Sequence, residues 1–174
     1  MKNPTKTRPL TADEISRLFR VLPLYWRHVF IINLATGLRI SDLLQLHKSL
    51  SFPRFTIQEK KTKKIKSVLL PSWSFDSWLY LRDNSDKNGY LLNGRDTSTY
   101  RYAIKRFAKL AGINTDQVGW HSLRKTIGNI IAHSAGIHSA QIFLNHSSVE
   151  TTKAYVDDTA LLISNVIESF GSNL

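Results

Sequence analysis

Two arginines, two histidines and one tyrosine are spaced along this chain in a way that suits phosphoryl chemistry. Arg39 follows a Thr-Gly-Leu turn, His121 and Arg124 are three residues apart, and Tyr155 comes nine residues after His146. Guanidinium groups remain protonated and can match the charge that develops on phosphate oxygens with two parallel hydrogen bonds. A phenol can attack phosphorus when neighbouring groups manage its proton. The set predicts cleavage of a phosphodiester by a tyrosine nucleophile.

The surroundings of the two arginines strengthen this interpretation. A single arginine on a basic protein is usually a solvated surface charge, but Arg39 and Arg124 each lie in an otherwise apolar stretch. An arginine buried in such a stretch needs a partner. The glycine turn before Arg39 can aim the start of a helix at an anion. Asp42, one helical turn later, either supports Arg39 or is a surface carboxylate, and the sequence leaves both readings open.

These motifs resemble the signature of the tyrosine recombinase (phage integrase) family, and the resemblance covers most of the chain. That signature is an arginine after Thr-Gly-Leu, a His-x-x-Arg, a Leu-Gly-His and a tyrosine nine residues further on. The chain matches each position except that Asn145 replaces the glycine before His146. Asparagine tolerates the left-handed backbone conformation better than most residues, so the departure is mild.

The resemblance implies a role for each residue. Tyr155 would attack the scissile phosphate, form a 3′-phosphotyrosyl link and release a 5′-hydroxyl. Arg39 and Arg124 would hold the phosphate oxygens, while His121 and His146 would orient the phosphate and manage the tyrosine proton. The covalent link conserves the bond energy for rejoining, so no metal, ATP or other cofactor is needed. The expected activity is site-specific recombination of DNA, of the integrase or invertase type.

The family also uses a lysine on a β-hairpin to protonate the leaving 5′-oxygen. Lys61, which precedes a threonine, is the best match, and Lys60, Lys63 and Lys64 are close enough to be alternatives. We expect those three lysines, together with Lys66, to contact DNA phosphates.

The composition favours a polyanionic partner and excludes several kinds of site. Among 174 residues, 24 Lys plus Arg outnumber 13 Asp plus Glu, a formal net charge of +11, which suits double-stranded DNA. The absence of cysteine excludes disulfides, a thiolate nucleophile and a zinc–cysteine site. No apolar run approaches the ~20 residues of a membrane span, and no histidine spacing suggests a metal site. We expect a cytoplasmic protein of a bacterial, archaeal or phage-infected cell.

The pattern of apolar residues predicts a mainly α fold with a small antiparallel β-hairpin (α+β), as in the catalytic domain of the family. Thr11 and Glu14 form a capping box at the first helix, and Thr97 or Ser98 is expected to cap a later one. A second capping box at 147–150 would place Tyr155 about two turns into its helix. Helices are predicted over about 12–22, 25–35, 40–46, 72–81, 98–110, 120–136 and 137–144, with strand residues near 55–57 and 68–70, a basic tip at 60–66 and an amphipathic segment at 159–170.

The predicted domain organisation is simple. Residues 1–10 would form a flexible basic lead and residues 11–174 a single catalytic domain, without the N-terminal domain that completes a clamp around DNA in many family members. The chain would then be an excised domain or a short enzyme like the fimbrial-switch invertases. With half the clamp missing, we expect a tetramer to assemble on DNA. The segment 159–170 would dock either on a neighbouring subunit or on its own domain.

Two other functions fit parts of the sequence. A type IB topoisomerase uses related tyrosine chemistry but relaxes supercoils without joining two sites. A DNA-binding regulator without activity would need no nucleophile. The small size and the Leu-Asn-His-Ser-Ser motif favour a recombinase over the first, and the intact set of six site residues disfavours the second.

Overall fold

The computed structural model describes residues 7–93 and 96–148 of the chain. These residues are mainly helical and carry one antiparallel hairpin, as predicted. A short 3-10 turn, Ser72–Ser74, precedes the fourth helix. The elements are α1 (Ala12–Val21), α2 (Leu24–Thr36), α3 (Ile40–Leu43), β1 (Arg54–Gln58), β2 (Ile65–Leu69), α4 (Phe75–Asp83), α5 (Thr97–Leu110), α6 (Trp120–Ala135) and α7 (Ile137–Leu144).

The capping box at the start of α1 is confirmed, but the lead before it is not flexible where it is described. The Thr11 hydroxyl accepts a hydrogen bond from the Glu14 amide at 3.2 Å, and the Glu14 carboxylate accepts one from the Thr11 amide at 3.0 Å. Leu10 is buried, and its amide donates to the Thr126 hydroxyl at 2.8 Å. Arg8 forms an ion pair with Glu14. Residues 7–10 therefore pack on the domain, because an apolar side chain and a paired arginine hold them there.

The helix α2 is apolar on nearly every face because it lies inside the domain, in contact with α4 and α6. It ends at Gly37, which adopts the left-handed conformation with φ 58° and donates its amide to the Asn33 carbonyl at 2.9 Å. A Cβ at this position would overlap the ring of Phe143. Glycine is therefore required twice, by the backbone angle and by the close approach of a side chain. The turn delivers Arg39 to the start of α3.

The helix α3 is shorter than the sequence predicted. It ends at Leu43, and the chain then turns through hydrogen bonds from Gln45 to Asp42 and from Leu46 to Leu43. Leu43, Leu44 and Leu46 are all buried, as expected. The turn after Leu43 lets all three leucines reach the core although the helix does not continue.

The hairpin pairs β1 with β2 in a register that runs from Arg54 opposite Leu69 to Gln58 opposite Ile65. Alternate residues of each strand face the core and the others face solvent. Lys66 belongs to β2, not to the tip, and it lies on the inner face with 4% of its surface exposed. Its predicted place among the DNA-facing lysines is therefore wrong, because a period of two turns this residue inward.

The remaining helices match their predicted positions closely. The cap of α5 is Asp96, whose carboxylate accepts from the Ser98 amide at 2.9 Å, rather than Thr97 or Ser98 themselves. The C-cap of α7 is Asn145, in the left-handed conformation with φ 55° that its replacement of glycine requires. No helix within 7–93 and 96–148 is long and apolar enough to cross a bilayer. The second predicted capping box extends beyond residue 148, and Tyr155 and the segment 159–170 lie outside the described residues.

An aromatic cluster joins α2, α5 and α6 behind the site. The Trp26 ring lies 5.2 Å from that of Tyr100 and 6.3 Å from that of Trp120, measured between centroids. Trp78 stacks on Phe55 at 5.4 Å and so fixes the inner face of the hairpin against α4. Large rings bury much apolar area and lose few rotamers. The start of α6, which carries His121 and Arg124, therefore packs on a rigid aromatic core.

Candidate active site

Arg39 lies between two buried carboxylates. It is the residue before α3, and its side chain keeps 22% of its surface exposed. One guanidinium nitrogen, Nη1, is 3.0 Å from Glu59 Oε1 and 3.9 Å from Asp42 Oδ2, and both carboxylates are fully buried. Two buried negative charges hold the guanidinium in place while part of it remains open to an incoming ligand.

Arg124 is fully buried. Its Nη1 donates to the Gly37 carbonyl, and its Nη2 donates to the Leu144 carbonyl at 2.5 Å. The first bond holds the turn that leads to Arg39, and the second holds the end of α7, from which His146 follows. One planar guanidinium therefore fixes the two loops relative to each other.

His121 and His146 complete the group around these arginines. Loss of hydration, with the positive charges of Arg124 and Arg39, lowers the pKa of each imidazole to about 4. Both rings are therefore neutral at pH 7 and can each donate one hydrogen bond and accept another. A phosphate bound beside the arginines would offset their charge and raise both pKa values. The rings would then become better proton acceptors when a phosphodiester is present.

Lys61 occupies the tip of the hairpin, between two anchored residues. The amide of Lys60 donates to Asp42 Oδ1 at 2.8 Å, and the hydroxyl of Thr62 donates to Glu59 Oε2 at 2.6 Å. The Lys61 side chain is exposed, and its positive charge contributes to the lowered pKa of His121. The tip is thus tied to α3 through Lys60, and the bond from Thr62 to Glu59 fastens its other side to the end of β1.

The position of Asp42 settles one question that the sequence left open. Its carboxylate is buried and holds both the hairpin tip and the neighbourhood of Arg39. It is therefore a supporting residue of the site and not a surface carboxylate.

Sequence reasoning missed Glu59, and it assigned Lys66 to the DNA-contacting lysines although this residue is buried. Although burial opposes ionisation, the hydrogen bond from Thr62 and the charge of Arg39 hold the pKa of Glu59 below its usual value, so it is anionic at neutral pH. The sequence signal for both residues was the alternation of inward-facing and outward-facing positions along β1 and β2. Phe55 and Ile57 predict that Glu59 also points inward, and the buried Val68 predicts the same of Lys66. The run of lysines obscured that signal.

A basic face of α5 borders the site and was also missed. A cleft runs from Arg39 and His121 to Arg101 and Lys105 on this helix, with Trp120 in its wall. The cationic residues of α5 recur at helical spacing and are exposed: Arg101, Lys105 and Lys109. Their spacing of four residues was the signal that would have found them.

The structure thus brings together five of the six predicted catalytic residues, and the sixth, Tyr155, lies outside the described residues. Lys60, Lys63 and Lys64 are exposed on the hairpin tip. Among residues 7–93 and 96–148, no group of three or more metal-binding side chains converges.

Comparisons with known proteins agree with this geometry. The model of the phage integrase family matches residues 8–161. The tyrosine recombinase XerA of Thermococcus onnurineus is 27% identical over 168 residues, which cover 87% of this chain and 58% of that protein. A crystal structure of XerA recombinase superposes with a TM-score of 0.72 at 29% identity, covering 91% of this chain and 64% of the other. A lambda integrase tetramer bound to a Holliday junction shares the fold, with a TM-score of 0.71 at 18% identity, covering 91% of this chain and 50% of the other. The chain therefore spans about half to two thirds of the length of these relatives.

Proposed function

Because this chain belongs to the phage integrase family of tyrosine recombinases, we propose that it cleaves and rejoins DNA at specific sites through a 3′-phosphotyrosine intermediate. The observation that carries the proposal is the convergence of Arg39, Arg124, His121 and His146, with Lys61 on an anchored hairpin tip. This convergence joins residues that are far apart in the chain around a space that is rich in positive charge.

In the proposed mechanism, Arg39 and Arg124 bind the non-bridging oxygens of the scissile phosphate and stabilise the charge that grows there in the transition state. The Tyr155 oxygen attacks phosphorus, and its proton passes to the group formed by His121 and His146. The P–O5′ bond breaks as Lys61 protonates the departing 5′-oxygen. A 5′-hydroxyl then attacks the phosphotyrosine, which restores the phosphodiester and the free tyrosine. Bond energy is conserved, so the cycle consumes no ATP and uses no metal.

Two basic surfaces support DNA as the partner. The hairpin tip presents Lys60, Lys63 and Lys64, and the face of α5 presents Arg101 and Lys105. The hairpin tip is tied to Asp42 beside Arg39, and the α5 face lines the cleft that contains Arg39 and His121. Each phosphate that these surfaces neutralise releases counterions. We propose that this protein acts on DNA in the cytoplasm of a bacterial, archaeal or phage-infected cell.

A library of nicked duplexes provides the direct test, because it does not require the DNA site to be known. Each duplex carries a randomised core and a nick that lets the short cleaved fragment diffuse away, which traps a covalent intermediate. We expect the wild-type protein to yield protein–DNA adducts that survive a denaturing gel, and sequencing of the bound DNA to give a defined site. The absence of any adduct across the library and across the DNA that flanks the gene would contradict the proposal.

The role of Lys61 can be tested with a chemically altered leaving group. Lys61→Met is expected to slow cleavage of ordinary DNA by about 100-fold, the scale of a lost general acid. DNA with sulfur in place of the bridging 5′-oxygen has a leaving group that needs no proton, so the variant should cleave it at close to the wild-type rate. The measurement is the single-turnover rate of adduct formation. Lys63→Met is the matched control and should show no preference for the sulfur substrate, whereas rescue of that control would assign the acid to Lys63.

We also propose that the protein assembles as a tetramer on DNA, with residues 159–170 docked on a neighbouring subunit. The lambda integrase tetramer on a Holliday junction supports the assembly through its shared fold. Removal of residues 159–174 is expected to leave a DNA-bound monomer and abolish the larger complex, as measured by light scattering with the selected DNA. An unchanged tetramer would contradict docking of this segment on a neighbouring subunit.

A further inference from the structure

Lys66 is a buried cation inside the hairpin. The strand alternation turns it inward, and 4% of its surface is exposed. Its amine Nζ donates to the Thr36 carbonyl at 2.8 Å and lies 4.8 Å from the centre of the Phe143 ring. These contacts place it under the turn that joins α2 to α3, out of reach of a DNA backbone on the outer surface.

The turn that Lys66 contacts is held from two sides. Lys66 from β2 binds the Thr36 carbonyl, and Arg124 from α6 binds the next carbonyl, that of Gly37. The Phe143 ring packs over Gly37 and also faces the Lys66 amine. The direction in which the chain leaves this turn sets the position of Arg39, two residues later.

The free-energy cost of burying the charge of Lys66 argues against a purely structural role for this residue. Burial, and next the charge of Arg124, lowers its pKa to about 7. A buried charge commonly costs more than an apolar side chain of similar volume would. Within the described residues, protonated Lys66 joins two arginines against the carboxylates of Asp42 and Glu59. Lys66 thus adds to an excess of positive charge that also includes Lys61 on the hairpin tip, and this excess suits the negative charge of a phosphodiester.

We propose that Lys66 is a positioning residue of the phosphate site, which fixes the guanidinium of Arg39 by holding the Thr36 carbonyl and adds the positive charge that a phosphate would balance. This inference rests on the proposed function. It assigns no contact between Lys66 and DNA, and it separates Lys66 from the phosphate-binding lysines of the hairpin tip.

The first test compares Lys66→Met with Lys87→Met in the full chain. Methionine keeps most of the volume of the lysine but removes the charge and the donor. Lys87 is an exposed lysine in the segment between α4 and α5 and is not among the residues assigned to the site. For Lys66→Met we expect the rate of adduct formation at saturating DNA to fall about 10- to 100-fold, the cost of a small misplacement. The Kd for DNA, from fluorescence anisotropy, should change by less than about 3-fold, because the exposed lysines and arginines that would make most of the phosphate contacts are unaltered. Thermal denaturation should show a folded protein, and Lys87→Met should match the wild type.

The second test does not depend on cleavage. The side-chain Nε–H signal of Arg39 is followed by NMR as inorganic sulfate is added. We expect Lys66→Met to bind sulfate about 10-fold more weakly than the wild type, a change of about 1.4 kcal/mol, and Lys87→Met to bind it equally well. Lys66→Gln, which is shorter and neutral, is measured in parallel, so that one misfolded variant does not decide the result.

The outcomes separate the two proposals. Normal cleavage by a folded Lys66→Met or Lys66→Gln, with normal sulfate binding, would overturn the role of Lys66 and leave the recombinase intact. A larger loss of DNA affinity than of rate would also overturn it, since that pattern marks a phosphate contact. A wild-type protein that binds no sulfate at Arg39 and forms no adduct would contradict the phosphate site itself, and the role of Lys66 with it.

Discussion

Tyr155→Phe is expected to abolish the covalent protein–DNA adduct while leaving DNA affinity within about 2-fold of the wild type. The variant loses only the oxygen that would bond to phosphorus, and the cationic groups that bind DNA are unchanged. No other step can replace nucleophilic attack, so the residual rate should fall below detection, a loss of at least ~10⁴-fold. The measurement is the adduct on a denaturing gel with the selected nicked DNA, with binding followed separately by anisotropy.

The other tyrosines provide the control for this experiment. Tyr100 is fully buried, its hydroxyl donates to the Asn93 carbonyl at 2.7 Å, and burial raises its pKa. It is therefore unsuited to attack DNA. Tyr102 is 73% exposed on α5, so Tyr102→Phe is the matched variant and should form adduct normally. An adduct that persists in Tyr155→Phe and disappears in Tyr102→Phe would move the nucleophile to Tyr102.

Arg124→Lys is expected to reduce cleavage by about 100- to 1,000-fold, the cost of losing a preorganised donor from an oxyanion site. A single ammonium cannot bond to both the Gly37 and the Leu144 carbonyls and also present a planar pair of donors to a phosphate. One of these buried carbonyls would lose its partner, which also costs about 1–3 kcal/mol of stability. Single-turnover adduct formation measures the first effect and urea denaturation measures the second.

The same substitution at an exposed arginine serves as its control. Arg82 on α4 forms only a partly exposed ion pair with Asp83, so Arg82→Lys should change neither rate nor stability by a measurable amount. If Arg124→Lys cleaved DNA at a near-normal rate, Arg124 would not be on the phosphate. If it lost stability alone, the bridge between the two loops would be its whole function.

Local signals in the sequence predicted much of the fold. Three of these signals mark helix ends: the cap at Thr11, the glycine at the end of α2 and the asparagine at the end of α7. Each is a residue type that the local backbone conformation favours, so it can be recognised from a few neighbouring residues. Helix α3 was too long in the prediction because three buried leucines look helical until tertiary packing demands a turn. Leu10 was placed in a flexible lead because a single apolar residue carries no periodic signal.

The site was harder to predict from local patterns. Motifs that resemble a family identified Arg39, His121, Arg124 and His146, and the structure brings them together. The supporting cluster required knowledge of which face of the hairpin is buried. Glu59 and Lys66 lie in a run of charge that favours a solvent-exposed interpretation, and the alternation that turns both inward becomes clear only once the bounds of β1 and β2 are known.

The bond between Asp42 and the Lys60 amide has a consequence for how this molecule meets DNA. It fastens the hairpin tip to α3, the short helix that begins just after Arg39, so the proposed proton donor Lys61 and the proposed oxyanion binder Arg39 are held together before any ligand arrives. Little of the binding energy is then consumed in reorganising this half of the machinery. In such a complex the DNA duplex must adapt to the protein surface, as must the segment that would deliver the tyrosine. DNA sites whose sequence bends at a low cost in free energy would then be favoured.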